Sequence, residues 1–330
     1  MAKTGKGAVA VAVLDDYHGV ALEMADWSKL EGARITVFRD HVDDEAKVAA
    51  RLRPFAVVCA MRERTPFPKS LLDRLPNLRC LVTTGTGNRA IDTAAATARG
   101  VVVCGTRNAP LRTTELNWAL TLALSRHIVV EDRATRAGRW QVTIGDDLIH
   151  RTLGVVGLGR LGTRVAAIGK AFGMEVIAWS QNLTPELAEE RGATYAAKDE
   201  LFRRADVVSV NVVLSERTRG LIGAREIGLM KPTAYLVNTS RGPIVDEAAL
   251  IAALERRSIA GAGLDVFDHE PLPRDHPLLK LDNVVLTPHL GYVTGDTYRV
   301  FYRDTVEDVA AYLAGKPARV INPDVVERPR

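Results

Sequence analysis

Short apolar runs and helix-compatible stretches alternate almost from end to end of this 330-residue chain. Runs of strand type fall at residues 8–14, 34–38, 56–59, 80–83 and 101–103. Others fall at 152–156, 175–179, 207–211, 234–238, 261–265 and 284–286. Most do not alternate with polar residues, as in VIAW at 176–179. A strand with one wet face alternates; a continuously apolar run is buried on both faces, as in a parallel sheet covered by helices. Strand–helix alternation predicts an α/β fold. Eleven such runs favour two sheets over one, hence two doubly wound parallel-sheet domains.

The division is expected near residues 110 and 294. Asn108-Ala109-Pro110 breaks the pattern, because proline disfavours helix at the residue before it. One long helical run, 113–130, follows and is expected to start the second domain. At the far end Tyr298, Phe301, Tyr302, Thr305, Val309 and Leu313 recur at helical spacing, and Gly315 and Pro317 stop that helix. If it crosses back, the first domain is discontinuous, 1–110 with 295–330, and 111–294 forms the other.

The most informative motif is LGVVGLGRLG at 153–162. Gly157, Gly159 and Gly162 supply G-x-G-x-x-G after an apolar strand and before a helix-compatible stretch, 163–172. The first glycine allows a tight turn, the second lets backbone approach a pyrophosphate, and the third lets helix pack on strand. Free N–H groups of Arg160, Leu161 and Gly162 at the helix start then face the phosphates. A lone motif of this type is weak evidence; the strand–turn–helix setting strengthens it and predicts a Rossmann dinucleotide-binding domain over 111–294.

Composition narrows the field. Hydrophobic residues make up 47% and charged residues 25%, as in an ordinary soluble globular protein. The net charge of +4 is spread along the chain, so nucleic acid is not an expected partner. Arg62, Arg64 and Lys69 read either as a solvated face or as the lip of an anion site. Cys59, Cys80 and Cys104 lack C-x-x-C spacing and lie in strand-like runs, which suits buried, reduced thiols. The start, MAKTGKG, carries no apolar signal core, and no run is long enough to span a bilayer. A cytoplasmic protein without a membrane partner is expected. The histidines show no metal-ligand spacing, and no metal is expected.

Three later segments, LMKPTAYLVNTSRGPIVD at 229–246, GAGLDVFDHEPLP at 261–273 and VVLTPHLG at 284–291, join the glycine motif in order. Together they closely resemble the D-isomer-specific 2-hydroxyacid dehydrogenases. TTGTGNRAID at 83–92 and VVVCGTRNAP at 101–110 resemble the family more loosely. The resemblance covers nearly the whole chain and implies a flavodoxin-like substrate domain beside the Rossmann domain. It also implies a homodimer.

It implies a catalytic trio of Arg241, Glu270 and His289, and the residue types suit the chemistry. Reduction of a 2-keto acid needs a carboxylate anchor, a proton for the forming alkoxide, and a hydride from nicotinamide. Arg241 offers a planar fork of donors to carboxylate and carbonyl oxygen. Imidazole exchanges protons near neutral pH, so His289 can donate the proton, and in oxidation it can accept one. Glu270 set against it would fix the ring and stabilise its charged form. Taken singly, each has a plainer reading: a surface arginine, a glutamate before a proline turn, a structural histidine. Their joint occurrence in these motifs is what points to catalysis.

The resemblance makes Gly85, Thr86 and Gly87 the substrate-carboxylate loop, with glycines that let N–H groups converge on an anion. It places Met61, Arg62 and Arg64 on a loop that helps choose the substrate. Trp140 is open to the same role or to a core or interface one. For the cofactor it adds Asp265, which meets the nicotinamide carboxamide in the family, and the loops at Asn211 and at Asn238 and Thr239, which line the nicotinamide ribose.

Two positions depart from the pattern. An acidic residue ordinarily ends the second Rossmann strand and selects NAD by holding the ribose 2′-hydroxyl. Here that position is Ser180, followed by Gln181 and Asn182, and no Lys or Arg occurs from Glu175 to Glu190. Both the NAD-selecting acid and an adjacent NADP-selecting base are missing. The cofactor is expected to be NAD or NADP, with a lean to NADP. Many family members also carry histidine and proline where this chain has Asn211 and Val213.

The expected function is hydride transfer between a nicotinamide cofactor and a small 2-keto or D-2-hydroxy acid such as glyoxylate, hydroxypyruvate or phosphohydroxypyruvate. The alternatives are a nucleotide-sensing protein like the corepressors that share this fold, or phosphite oxidation.

Overall fold

The computed structural model describes residues 8–108 and 111–327; residues 109 and 110 of the expected break lie outside them. Among the described residues the strands are β1 (Val9–Val13), β2 (Ala33–Val37), β3 (Val57–Ala60), β4 (Cys80–Thr83), β5 (Val102–Gly105) and β6 (Thr152–Val156). They continue as β7 (Glu175–Trp179), β8 (Thr194–Tyr195), β9 (Val207–Val210), β10 (Tyr235–Asn238), β11 (Gly261–Leu264) and β12 (Val284–Leu286). The chain separates into two compact units, Met1–Ala109 with Thr294–Arg330, and Pro110–Val293.

In the first unit five strands pair in parallel in the order β2-β1-β3-β4-β5, the flavodoxin-like arrangement. β3 and β4 are buried along their whole length, which is why their sequences do not alternate. One face packs Leu14, Val58 and Leu81 against Val48 and Leu52 of the helix Glu45–Leu52 and against Leu71 and Leu72 of the helix Lys69–Asp73. The long helix Gly295–Leu313 packs on β4 and β5, burying Tyr298, Phe301, Tyr302 and Val309. It ends as its sequence indicates, with Gly315 in the left-handed region at φ 75°. Cys59, Cys80 and Cys104 are buried free thiols in this sheet.

In the second unit seven strands pair in parallel in the order β12-β11-β10-β9-β6-β7-β8. The chain runs outward from β6 through β7 to β8, returns to β9 beside β6, and runs outward the other way. This Rossmann order puts a switch point between β6 and β9, where ligands bind at the carboxyl ends of strands. Successive residues feed opposite faces. Leu153, Val155, Val176 and Val237 join one core, with Trp118 and Leu120. Val156, Ile177, Val208 and Leu236 join the other, with Phe202 and Leu250.

Two expectations need correction. The run 113–130 is not one helix but two, Arg112–Ser125 and Ile128–Arg136, separated at His127, whose backbone is left-handed at φ 50°. Apolar spacing continues through the break, so periodicity alone does not reveal it. A twelfth strand, β8, has no counterpart in the eleven runs. It is two exposed residues at the sheet edge, too short and too wet to leave an apolar signature.

Candidate active site

The glycine turn sits at the switch point. Gly157 follows β6 with φ 98°, which side-chain-bearing residues rarely adopt. A Cβ on it would lie 2.9 Å from the Asn211 carbonyl carbon, and one on Gly162 would strike the Gly157 carbonyl. A Cβ on Gly159 would meet nothing within 4 Å. The outer glycines are therefore required by packing, whereas the middle one faces open space, as approach of a pyrophosphate demands. The helix Arg160–Ala171 begins with Gly159 as a cap that offers no side-chain bond. The N–H groups of Arg160, Leu161 and Gly162, at the first turn, thus receive no capping side chain from Gly159. Arg191 Nη1 donates to the Leu158 carbonyl at 2.6 Å and braces the turn, a role its sequence position gives no hint of.

The ends of β9 and β10 are tied by a buried polar chain. Asn211 Nδ2 donates to Ser209 Oγ at 2.9 Å, Ser209 Oγ to Asn117 Oδ1 at 3.2 Å, and Asn117 Nδ2 to Thr239 Oγ1 at 3.2 Å. Asn117 and Ser209 were not foreseen: each is an isolated polar residue in an apolar segment, and only folding shows that they share a network. Asn238 Oδ1 accepts the Ser240 N–H and its Nδ2 donates to the Arg241 carbonyl, both at 3.0 Å, which shapes the turn carrying Arg241. Arg241 itself is half-buried and donates from Nη1 to the Ser240 carbonyl at 2.7 Å.

The loops after β10, β11 and β12 meet here. A Cβ on Gly242 would overlap the Phe267 carbonyl group, so the Arg241 turn lies directly on backbone 267–268. Glu270 Oε1 accepts the Phe267 N–H at 2.9 Å, and Glu270 Oε2 lies 2.6 Å from His289 Nδ1. His289 has a left-handed backbone, φ 56°. Its turn is held by Asp265, which accepts from Thr287 Oγ1 at 2.7 Å, Leu290 N at 2.6 Å and Gly291 N at 2.9 Å. Asp265 is buried, and burial raises its carboxyl above the usual range against the opposing pull of those donors. The ring of His269, next to Glu270, lies with Nδ1 3.2 Å from the Pro271 carbonyl.

Residues 118–291 match the family model described as D-isomer specific 2-hydroxyacid dehydrogenase, NAD binding domain. A glyoxylate reductase of Aeropyrum pernix is 41% identical over 268 residues, covering 78% of this chain and 80% of the relative. The chain belongs to the D-isomer-specific 2-hydroxyacid dehydrogenases. The solved phosphoglycerate oxidoreductase of Vibrio cholerae superposes with a TM-score of 0.88 at 37% identity, covering 93% of this chain and 99% of that one. D-lactate dehydrogenase of Aquifex aeolicus, solved with NAD and lactic acid, gives a TM-score of 0.77 at 28% identity over 94% and 99%. This chain is therefore a nicotinamide-dependent 2-hydroxyacid oxidoreductase.

In this dehydrogenase Ser180 is half-buried at the end of β7, and Gln181 and Asn182 are exposed. Gln181 Nε2 donates to the Arg217 carbonyl at 3.4 Å, so the turn after β9 stands against this segment. The turn that carries Arg217 thus flanks Gln181, a neighbour that spacing along 175–190 does not reveal.

The first unit carries the expected substrate loops at the carboxyl end of its own sheet. Arg62 has a left-handed backbone, φ 52°, and its Nη1 donates to the Thr84 carbonyl at 3.2 Å. A side chain at Gly85 would collide with the Arg62 guanidinium. The Gly85 N–H is taken by Thr106 Oγ1 at 2.7 Å, so Gly85 contributes shape rather than a donor. Arg64 donates to the Asp15 carbonyl at 2.6 Å and stacks on Tyr17, with 4.3 Å from its Cζ to the ring centre. Lys69 pairs with Asp73 at the surface. Among the described residues no group of His, Cys, Asp or Glu is arranged to hold a metal, and no helix is long and apolar enough to cross a membrane.

Proposed function

We propose that the chain interconverts a small 2-keto acid and its D-2-hydroxy acid through Arg241, Glu270 and His289. The observation that carries this reading is the 2.6 Å contact between Glu270 Oε2 and His289 Nδ1. With Nδ1 engaged by a carboxylate, the ring orientation is set and Nε2 is left to hand a proton to the substrate oxygen. Arg241, on the turn that lies against 267–268, anchors the carboxylate and polarises the carbonyl as charge develops. Bound nicotinamide supplies the hydride in reduction and accepts it in oxidation. Gly157, Gly159, Arg160, Leu161 and Gly162 hold its pyrophosphate; Asn211, Asn238, Thr239 and Asp265 line the nicotinamide half, and Ser180, Gln181 and Asn182 the adenosine ribose. We assign Arg62, Gly85, Thr86 and Gly87 to substrate binding.

The cofactor is NAD or NADP with a preference for NADP, since no carboxylate ends β7 to repel a 2′-phosphate. A homodimer fits the apolar surface of the second unit, where Trp140 is 79% and Ile144 94% exposed. That exposure leaves Trp140 no core role within this unit. Absorbance at 340 nm with glyoxylate, hydroxypyruvate and phosphohydroxypyruvate and both reduced cofactors tests the reaction. Turnover of at least one acid is expected. Silence across the panel, with nucleotide still bound, would favour a nucleotide-sensing protein instead.

A further inference from the structure

We infer that Arg217 is the residue that receives the 2′-phosphate of NADP, an inference that rests on the dinucleotide reading of the second unit. Position and rigidity carry it. Arg217 lies thirty-six residues beyond Gln181 in sequence, yet its carbonyl accepts the Gln181 side-chain amide at 3.4 Å. The turn that bears it is closely stapled. Thr218 Oγ1 accepts the Ser215 N–H at 2.8 Å and donates to the Val213 carbonyl at 2.7 Å. The Arg219 N–H donates to the Ser215 carbonyl at 2.9 Å. The backbone of an exposed arginine is thereby held beside Gln181, in the polar segment that follows β7, where a Rossmann fold holds the adenosine ribose.

The surrounding charges favour the same assignment. One nearby cation, Lys198, is already committed: its Nζ donates to the Leu221 carbonyl at 2.8 Å and to Glu226 at 2.9 Å. Arg217 is exposed, so its guanidinium is open to a ligand from solvent. Ser180, Gln181 and Asn182 offer neutral hydrogen bonds to a ribose or a phosphate without repelling either. A guanidinium matches phosphate with a fork of parallel donors, which a hydroxyl of the unphosphorylated ribose cannot engage as fully. Specificity in this chain would then come from the turn after β9 rather than from the residue that ends β7.

Calorimetric titration of the whole protein with adenosine 2′,5′-bisphosphate and with 5′-AMP isolates the 2′-phosphate and needs no turnover. At low ionic strength the bisphosphate is expected to bind the tighter. Arg217→Ala should remove about tenfold of that advantage while leaving 5′-AMP affinity unchanged, and Arg217→Lys should remove less. The unchanged 5′-AMP affinity shows that the variant is folded. An advantage that survives Arg217→Ala overturns the assignment but leaves the dinucleotide site standing. Wild-type protein that binds both nucleotides equally also overturns it. Failure to bind either nucleotide overturns the dinucleotide reading and this inference together.

Discussion

Glu270 Oε2 lies 2.6 Å from His289 Nδ1, while the other oxygen of the same carboxylate accepts the Phe267 N–H at 2.9 Å. The carboxylate is thus fixed from one side and fixes the ring from the other. Glu270→Gln keeps the shape and one hydrogen bond but loses the charge that stabilises a protonated ring. A fall in kcat of about ten- to a hundredfold is expected, smaller than the loss on removing His289, with KM for the keto acid little changed. Steady-state kinetics of the variant decide this. An unaltered kcat would detach Glu270 from the chemistry.

A stability effect is expected within the first unit. Asp308 is fully buried in the first unit, and Arg319 Nε stands 3.0 Å from Oδ1 without the alignment of a hydrogen bond. Burial pushes its carboxyl up to about 7, against the pull of Arg319. The folded chain therefore holds this proton more tightly than the unfolded chain does. The associated stability is complete below the ordinary carboxylate range and is lost as pH rises towards 7. Asp308→Asn should shrink the fall in melting temperature between pH 5 and pH 8 by on the order of 5 °C. Differential scanning calorimetry at the two pH values measures it, and an unchanged fall would contradict the account.

The exposed apolar residues of the second unit bear on assembly. Trp140 at 79%, Ile144 at 94% and Ile128 at 54% exposure are far more open than the folded core requires. If they are covered by a second copy, Trp140→Ser with Ile144→Asp should convert a dimer to a monomer in light scattering after gel filtration. A monomeric wild-type protein would remove the homodimer reading.

How much of this was legible in the sequence follows from the reach of each signal. Continuous apolar runs such as Cys80–Thr83 and Thr152–Val156 show as strands because burial on both faces dictates their composition. Gly157 and Gly162 show because backbone must pass where a Cβ would collide. Asn117 and Ser209 do not show, since each is one polar residue whose partner lies elsewhere in the chain. Arg217 is hidden for the same reason: its neighbour Gln181 is brought to it by the sheet order, not by sequence spacing. The break at His127 is hidden because a single left-handed residue leaves the apolar periodicity intact.

The account depends most on Arg241 and His289 acting in one reaction. The direct measurement is kcat/KM for NAD(P)H-dependent reduction of the best keto acid by wild type, Arg241→Ala and His289→Ala. Each variant should lose about three orders of magnitude or more while still binding reduced cofactor by fluorescence titration. An Arg241→Ala or His289→Ala protein that keeps wild-type kcat/KM would contradict the account.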